Sequence, residues 1–325
     1  VKKSVIYVLI STLMFSSMEI ALKVAGSEFN PIQLNLLRFF IGGAVLLPFA
    51  FYELHKRRRK LNLDDWKAFA FTGFACVVIS MTLYQLAIVY DKPAIVAVLF
   101  SCNPVFAVIF AYFILHERIG RANLISLIIS VIGLIVIVNP FNLTNPVGII
   151  LSLLSAVTFG FYSILSQSCS VKRNLDGITI TCFTFIAGSF ELFVLSLITN
   201  IPAVASGMKT VGWLNQFAAI PILKDVNLQN FWILFFIGVC VTGGGFAFYF
   251  LAMQESGVSI ASLVFFIKPG LAPILAMIFV GEKINLPTVV GIVIILIGSV
   301  VTFIGERYKE TDATMLNDKT IEESK

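Results

Sequence analysis

The sequence predicts an all-α integral membrane protein of ten transmembrane helices, built as two inverted five-helix repeats. Three observations carry this: the apolar content, its division into runs of membrane length, and a block of residues that recurs at a fixed offset. Of 325 residues, 58% are hydrophobic and only 13% charged, about half the ~25% usual in soluble domains; the mean hydropathy is +0.95. A soluble fold of this length cannot bury so much apolar surface, whereas a bilayer solvates it. The net charge of +5 therefore does not point to nucleic acid, and the basic residues have to be read by position.

A helix crossing the hydrocarbon layer needs about 20 apolar residues. Runs of that kind fall at 4–25, 31–53, 66–89, 93–115, 121–140, 147–169, 176–200, 230–253, 258–281 and 285–305. The first, behind Lys2 and Lys3, begins like a signal peptide. It lacks a convincing small-x-small cleavage site and reads as a retained span. Residues 306–325 are polar and aperiodic, a tail expected to be disordered. The longest loop, 201–229, holds Lys209, Trp213, Phe217 and Pro221. Tryptophan and lysine favour the headgroup layer, so a short interfacial helix is expected near 206–219.

An even number of spans puts both termini on one side. That side then carries 16 of the 23 lysines and arginines, including the run Lys56-Arg57-Arg58-Arg59-Lys60; the other side carries four, and three lie within spans. By the positive-inside rule both termini are cytoplasmic in a cell membrane. The run at 56–60 reads first as a topology anchor, and second as a site for anionic lipid.

The repeat is visible without gaps. Tyr84, Leu86, Ala87, Pro104, Glu117, Ile119 and Gly133 lie 165 residues before Tyr249, Leu251, Ala252, Pro269, Glu282, Ile284 and Gly298. Weaker matches join Phe15 to Phe159, and Phe39 and Gly42 to Phe185 and Gly188. The halves are 1–140 and 141–305. Five spans is an odd number, so consecutive halves lie in opposite orientation. Inverted halves create a pseudo-two-fold axis in the membrane plane, about which rocking gives alternating access.

This duplicated block of a mid-span proline followed by a span-ending acid and base (Pro104 to Glu117-Arg118, Pro269 to Glu282-Lys283) resembles the EamA family of the drug/metabolite transporter superfamily, over nearly all of 4–305. The resemblance implies a ten-helix bundle whose central cavity is lined mainly by spans 1–4 and 6–9. It also implies movement of small metabolites, often export of amino acids or related compounds. It names no substrate for this chain.

Five ionisable residues fall inside spans: Glu19, Lys23, Arg38, Glu191 and Lys268. A charge at the bilayer centre costs at least ~2.5–3.5 kcal/mol, so each must pair, face water or snorkel. Lys268 stands near the middle of its span, followed by Pro269, which leaves the carbonyl of Phe265 without its helical partner. The matching position is Asn103 before Pro104, which frees Phe100. Two broken helices with polar midplane side chains point to a transporter site, against the alternative of a structural ion pair. Glu19 is expected to pair with Arg38 or Lys23, and Glu191 to lie at a depth where it could meet Lys268. Two acids against three bases leave a base to attract a substrate carboxylate, so the substrate is expected to be anionic or zwitterionic. Either acid could instead carry a proton, in which case proton-coupled export of amphiphilic drugs or cations is the competing reading.

Tyr84, Gln85, Tyr162, Gln167 and Tyr249 are polar edges in apolar spans, equally suited to ligand contact and to interhelical hydrogen bonds. Glu117 and Glu282 are expected to cap the helices that follow them. Cys76, Cys102, Cys169, Cys182 and Cys240 fit no disulfide framework or metal motif and read as small apolar residues. With only His55 and His116, no Walker motif and no nucleophile elbow, an enzyme is not expected, nor is a cofactor or metal. A channel is disfavoured by the lack of a filter-like sequence. The expected partners are a small-molecule substrate and the bilayer; protons and a second copy of the chain are left open. Ser126, Ser130, Gly133, Gly291 and Gly298 on spans 5 and 10 allow close packing, within one chain or across a dimer.

Overall fold

In the computed structural model, described over residues 2–116, 121–138, 145–224, 226–256 and 263–301 with Ala261 and Ile304, the chain is helical and has no strand among the described residues. Among the described residues eight helices are long and apolar enough to cross a membrane: α1 Lys2–Ala25, α2 Pro31–Lys56, α3 Leu63–Tyr90, α4 Pro93–Leu115, α6 Pro146–Arg173, α7 Gly177–Thr199, α8 Phe231–Glu255 and α9 Leu263–Val280. Among the described residues two apolar helices are shorter, α5 at Leu124–Val138 and α10 at Leu286–Val301. Glu117, Arg118, Ile119 and the tail 306–325 lie outside the described residues.

Local chemistry sets several boundaries. Asn30 accepts from the amides of Ile32 and Gln33 to start α2, with Pro31 in the first turn. Asn62 and Asp65 form a reciprocal capping box at α3, and Asp176 accepts from the Thr179 amide at α7. Such caps satisfy amides that have no partner within the helix. Asn174, at φ 52°, ends α6 in the left-handed conformation, where asparagine is among the better-tolerated residues.

Glu282 does cap a helix, but not the one that follows it. Its Oε2 accepts from the Ala94 amide of α4 at 3.2 Å, and the start of α10 is served by Asn285, which accepts from the Thr288 amide. The loop between α7 and α8 also departs from expectation. In place of one helix near 206–219 there is a helix at Pro202–Lys209 and a 3₁₀ turn at Gly212–Phe217. The side chain of Trp213 lies outside the described residues. This loop is fastened to α2: Gln33 Nε2 donates to the carbonyls of Ile222 and Lys224 at 3.2 and 2.6 Å.

Helices approach closely where side chains are small. A β-carbon on Gly73 of α3 would stand 2.6 Å from the backbone nitrogen of Gly188 in α7, and nearby the hydroxyls of Thr72 and Thr184 are 2.7 Å apart. Helices α5 and α10 pack against each other within the chain. Gly133 meets the carbonyl of Gly291, Gly298 meets that of Ser126, and Ser126 Oγ donates to Gly298 O at 2.7 Å.

At the end of the bundle where α3 turns into α4, Lys23 Nζ donates to the carbonyls of Ile88 and Asp91 at 2.7 and 2.9 Å. It is thus committed to the last turn of α3 rather than to Glu19. Asp91 is buried, and one of its carboxylate oxygens has no partner among the described residues. Burial raises its pKa, against the opposing pull of the Lys92 amide and of the Lys23 and Lys92 charges. Burial likewise raises Glu282, against the Ala94 amide and the same two lysines and together with Asp91.

Two predictions follow from this packing. Gly188→Val should destabilise the folded protein by about 1–3 kcal/mol, the usual cost of overpacking, read as a lowered thermal midpoint in detergent. The raised Asp91 pKa means that the folded chain holds this proton to higher pH than the unfolded chain. The stability it lends is complete below the ordinary aspartate value and is lost as pH rises through the folded value. Asp91→Asn should therefore unfold at a higher temperature than the parent at neutral pH, with a flatter pH dependence; coincident pH profiles would contradict this.

Candidate functional site

Among the described residues, one ion pair has both of its side chains buried. Lys268 Nζ of α9 lies 2.7 Å from Glu19 Oε1 of α1, with the two residues 4% and 1% exposed. The hydroxyl of Tyr84, from α3, donates to the same carboxylate oxygen. The other oxygen, Glu19 Oε2, is buried without a partner among the described residues. One carboxylate thus joins three helices. Removing one member of such a pair strands the other's charge in a medium that cannot solvate it.

Glu19 makes no ion pair with Arg38 or Lys23. Arg38 turns instead to Asn35, one turn earlier on α2. Its Nε and Nη2 donate to Asn35 Oδ1 at 3.1 and 3.0 Å. Asn35 is held in that orientation because its amide donates to Val77 O and Thr82 Oγ1 at 2.9 and 3.3 Å. Val77 belongs to a π-helical stretch of α3, Phe74–Ser80. The guanidinium also sits 4.3 Å from the ring centre of Phe39, an attraction of roughly 2 kcal/mol or more when desolvated. At 1% exposure Arg38 is the largest fully buried side chain, and among the described residues no carboxylate lies within ion-pair distance of it.

Arg38 and Lys268 line a common cavity, with Asn103, Ser101, Tyr162 and Thr242 as further polar groups. Its remaining wall is chiefly aromatic, including Phe15, Phe39, Phe100, Phe159, Phe246 and Phe265. The cavity encloses about 50 Å³, against the roughly 10–15 Å³ that one water requires. It admits a few waters, and must widen to admit a metabolite.

Pro104 interrupts α4: a turn at Ser101 and Cys102 separates its two segments. The carbonyl of Phe100 that the proline frees is taken by Asn103 Nδ2 at 2.8 Å. Pro269 does not end its helix; α9 runs from Leu263 to Val280 with Pro269 and Pro273 inside it. A proline removes one bond from the ladder, and its fixed φ suits the helix, so a span buried among neighbours tolerates it.

The rings around the cavity contact in matched sets. Phe100 lies against Tyr84 and Phe159, with centroids at 4.5 and 5.1 Å. Phe265 lies against Tyr249 and Phe15, at 5.2 and 5.8 Å. Tyr249 is therefore behind the wall rather than on it. Glu191 is not brought to Lys268. Its helix, α7, packs on α2 and α3, its Oε2 has no partner among the described residues, and the lysine it was expected to approach is held by Glu19. Asn35, which aims Arg38 from behind the cavity wall, was not singled out in the sequence, nor were Ser101 and Thr242 on the wall; the signal for Asn35 was its place three residues before Arg38, on the same helix face.

A bundle of apolar helices around a buried, charged cavity is the architecture of a multi-pass membrane transport protein. The chain belongs to the EamA-like transporter family, whose family model matches residues 2–139 and 146–304. It is 32% identical to an uncharacterized transporter of Clostridium kluyveri, over 93% of both chains. It is 27% identical to an uncharacterized transporter of Archaeoglobus fulgidus, over 86% of this chain and 90% of the other. A more distant similarity, 24% over 51% of this chain and 55% of the relative, is to an S-adenosylmethionine uptake transporter of Rickettsia felis. A solved crystal structure shares the fold at TM-score 0.61 and 16% identity, covering 95% of this chain and 99% of the other.

The ion pair yields a double-mutant cycle. Glu19→Gln and Lys268→Met should each cost about 3–5 kcal/mol, because each leaves a buried charge unmatched. The double variant should cost clearly less than the sum. Additive losses in thermal or denaturant unfolding would show that the two side chains do not interact.

Proposed function

We propose that the chain is an alternating-access secondary carrier, working as exporter or exchanger, for a small metabolite that bears a carboxylate, alone or as part of a zwitterion. The observation that carries this is Arg38: a fully buried guanidinium on the cavity wall, aimed by Asn35 and matched by no acid among the described residues, while the other cavity base is already paired with Glu19. A guanidinium presents a planar fork of donors suited to bidentate carboxylate recognition. The aromatic wall suits an apolar body attached to that carboxylate. The Rickettsia relative named for S-adenosylmethionine uptake is consistent with this reading, since that molecule has an amino-acid end.

In this reading the eight long and two shorter apolar helices are ten spans in two inverted halves, 1–140 and 141–305, with both termini cytoplasmic. The matched contacts support it. Tyr84 on Phe100 and Tyr249 on Phe265 are one contact repeated at an offset of 165 residues, as are Gly133 on Gly291 and Ser126 on Gly298. Phe39 and Phe185, which match between the halves, touch each other at 4.7 Å, as mates near a two-fold axis would. Rocking of the halves would widen the cavity toward either side. Proton coupling through Glu19, with a cationic or amphiphilic cargo, is the competing reading; it is favoured by the unpartnered Glu19 Oε2.

Counterflow in proteoliposomes loaded with a pool of amino acids, organic acids and amines, followed by mass spectrometry, decides between them. Exchange of carboxylate-bearing compounds, reduced at least about a hundredfold in Arg38→Gln by loss of a charged hydrogen-bonded contact, is the expected outcome. Exchange of amines alone, or full activity in Arg38→Gln, would overturn the anion site. Lys268→Ala in parallel reports whether the paired lysine also contacts the cargo.

A further inference from the structure

We infer that the groove at the end of α2 is a binding site for the phosphate of an anionic phospholipid. The basic run Lys56-Arg57-Arg58-Arg59-Lys60 is not a uniform patch in the structure. Arg57 is drawn back to Glu53 of its own helix at 3.7 Å. Arg59 is held by Asp65 at 3.1 Å, and Asp65 takes Arg173 from α6 at 3.4 Å as well. Asp65 is completely buried and is fully engaged by these two arginines and the α3 cap. Arg58 and Lys60 are left over. Both line the groove with His55, and neither has an acidic partner among the described residues.

Arg59, held by Asp65, lines the groove too; Phe51, Leu54 and Leu61 complete its wall, and no acid lines it among the described residues. Phe51 is 57% exposed, and Tyr52, Leu63 and Trp66 at the same end of the bundle are exposed too. In a chain that spans a bilayer these side chains face lipid, and aromatic residues of this kind settle at the headgroup layer. The groove therefore joins a lipid-facing apolar wall to a rim carrying two unmatched cations, which is the amphipathic layout of a phospholipid. Basic side chains at this level hold anionic headgroups through charge-assisted hydrogen bonds to phosphate oxygens. The site lies apart from the central cavity, so it does not depend on the identity of the cargo.

Native mass spectrometry of the purified protein with added phosphatidylglycerol or phosphatidylcholine tests this. The parent should retain phosphatidylglycerol in preference to phosphatidylcholine. Arg58→Gln/Lys60→Gln should weaken that retention about thirtyfold, at the usual contribution of two interfacial cations. Lys3→Gln/Lys172→Gln, which removes two exposed charges from the same end, should leave it unchanged. Equal losses in the two variants would show a diffuse field rather than a site. No preference in the parent, or displacement by glycerol 3-phosphate as effective as by phosphatidylglycerol, would equally overturn the assignment, and both are read without any substitution.

Discussion

The carboxylate of Glu19 is the point on which the interior depends. It joins α1 to α9 through Lys268 and to α3 through Tyr84, in a region where an unmatched charge costs several kcal/mol. Because Glu19 is occupied in this way, the other intramembrane bases find different partners. Lys23 goes to the carbonyls at the end of α3, and Arg38 goes to a neutral amide. Of these two bases, neither in an ion pair among the described residues, Arg38 is the one that stands on a cavity wall.

Backbone irregularity supplies the polar groups that this arrangement uses. The π-helical stretch of α3 carries Val77, whose carbonyl takes the Asn35 amide and so turns Asn35 Oδ1 toward the guanidinium. The break in α4 presents Asn103 and Ser101 to the cavity, with Asn103 closing the carbonyl that Pro104 releases. Non-helical or loosened backbone at membrane depth is tolerable where protein or a cavity, rather than lipid, surrounds it. Close contacts between glycines and small polar residues, as at Gly73 with Gly188, let the surrounding helices approach without bulky side chains between them.

Charge at the bundle's ends is sorted by the same rule of satisfying what is buried. Asp65 is wholly enclosed and takes two arginines from different parts of the chain, while the neighbouring Arg58 and Lys60, on the groove, have no acidic partner among the described residues. One short basic run thereby combines a structural clamp with two free cations.

Much of this was legible in the sequence because it follows from local composition. Apolar runs fixed the helices to within a few residues, Asn30, Asn62 and Asp176 marked three starts, and the cost of intramembrane charge picked out Glu19, Arg38 and Lys268 as the residues to watch. The charge count, two acids against three bases, predicted one base left over on the premise that both acids pair; with Glu191 in no ion pair among the described residues, two bases, Lys23 and Arg38, turn to neutral partners instead. Counting could not decide which bases these would be, since partner choice depends on which helices touch. The preference for Arg38 or Lys23 as the mate of Glu19, the approach of Glu191 to Lys268, and the capping of α10 by Glu282 were all inferred from proximity along the chain or equal depth. Tertiary packing placed α9 against α1, kept α7 on α2 and α3, and brought the first turn of α4 to Glu282. Depth and spacing are properties of a single helix; the pairing of buried charges is a property of the interfaces between helices, and only the folded bundle sets those.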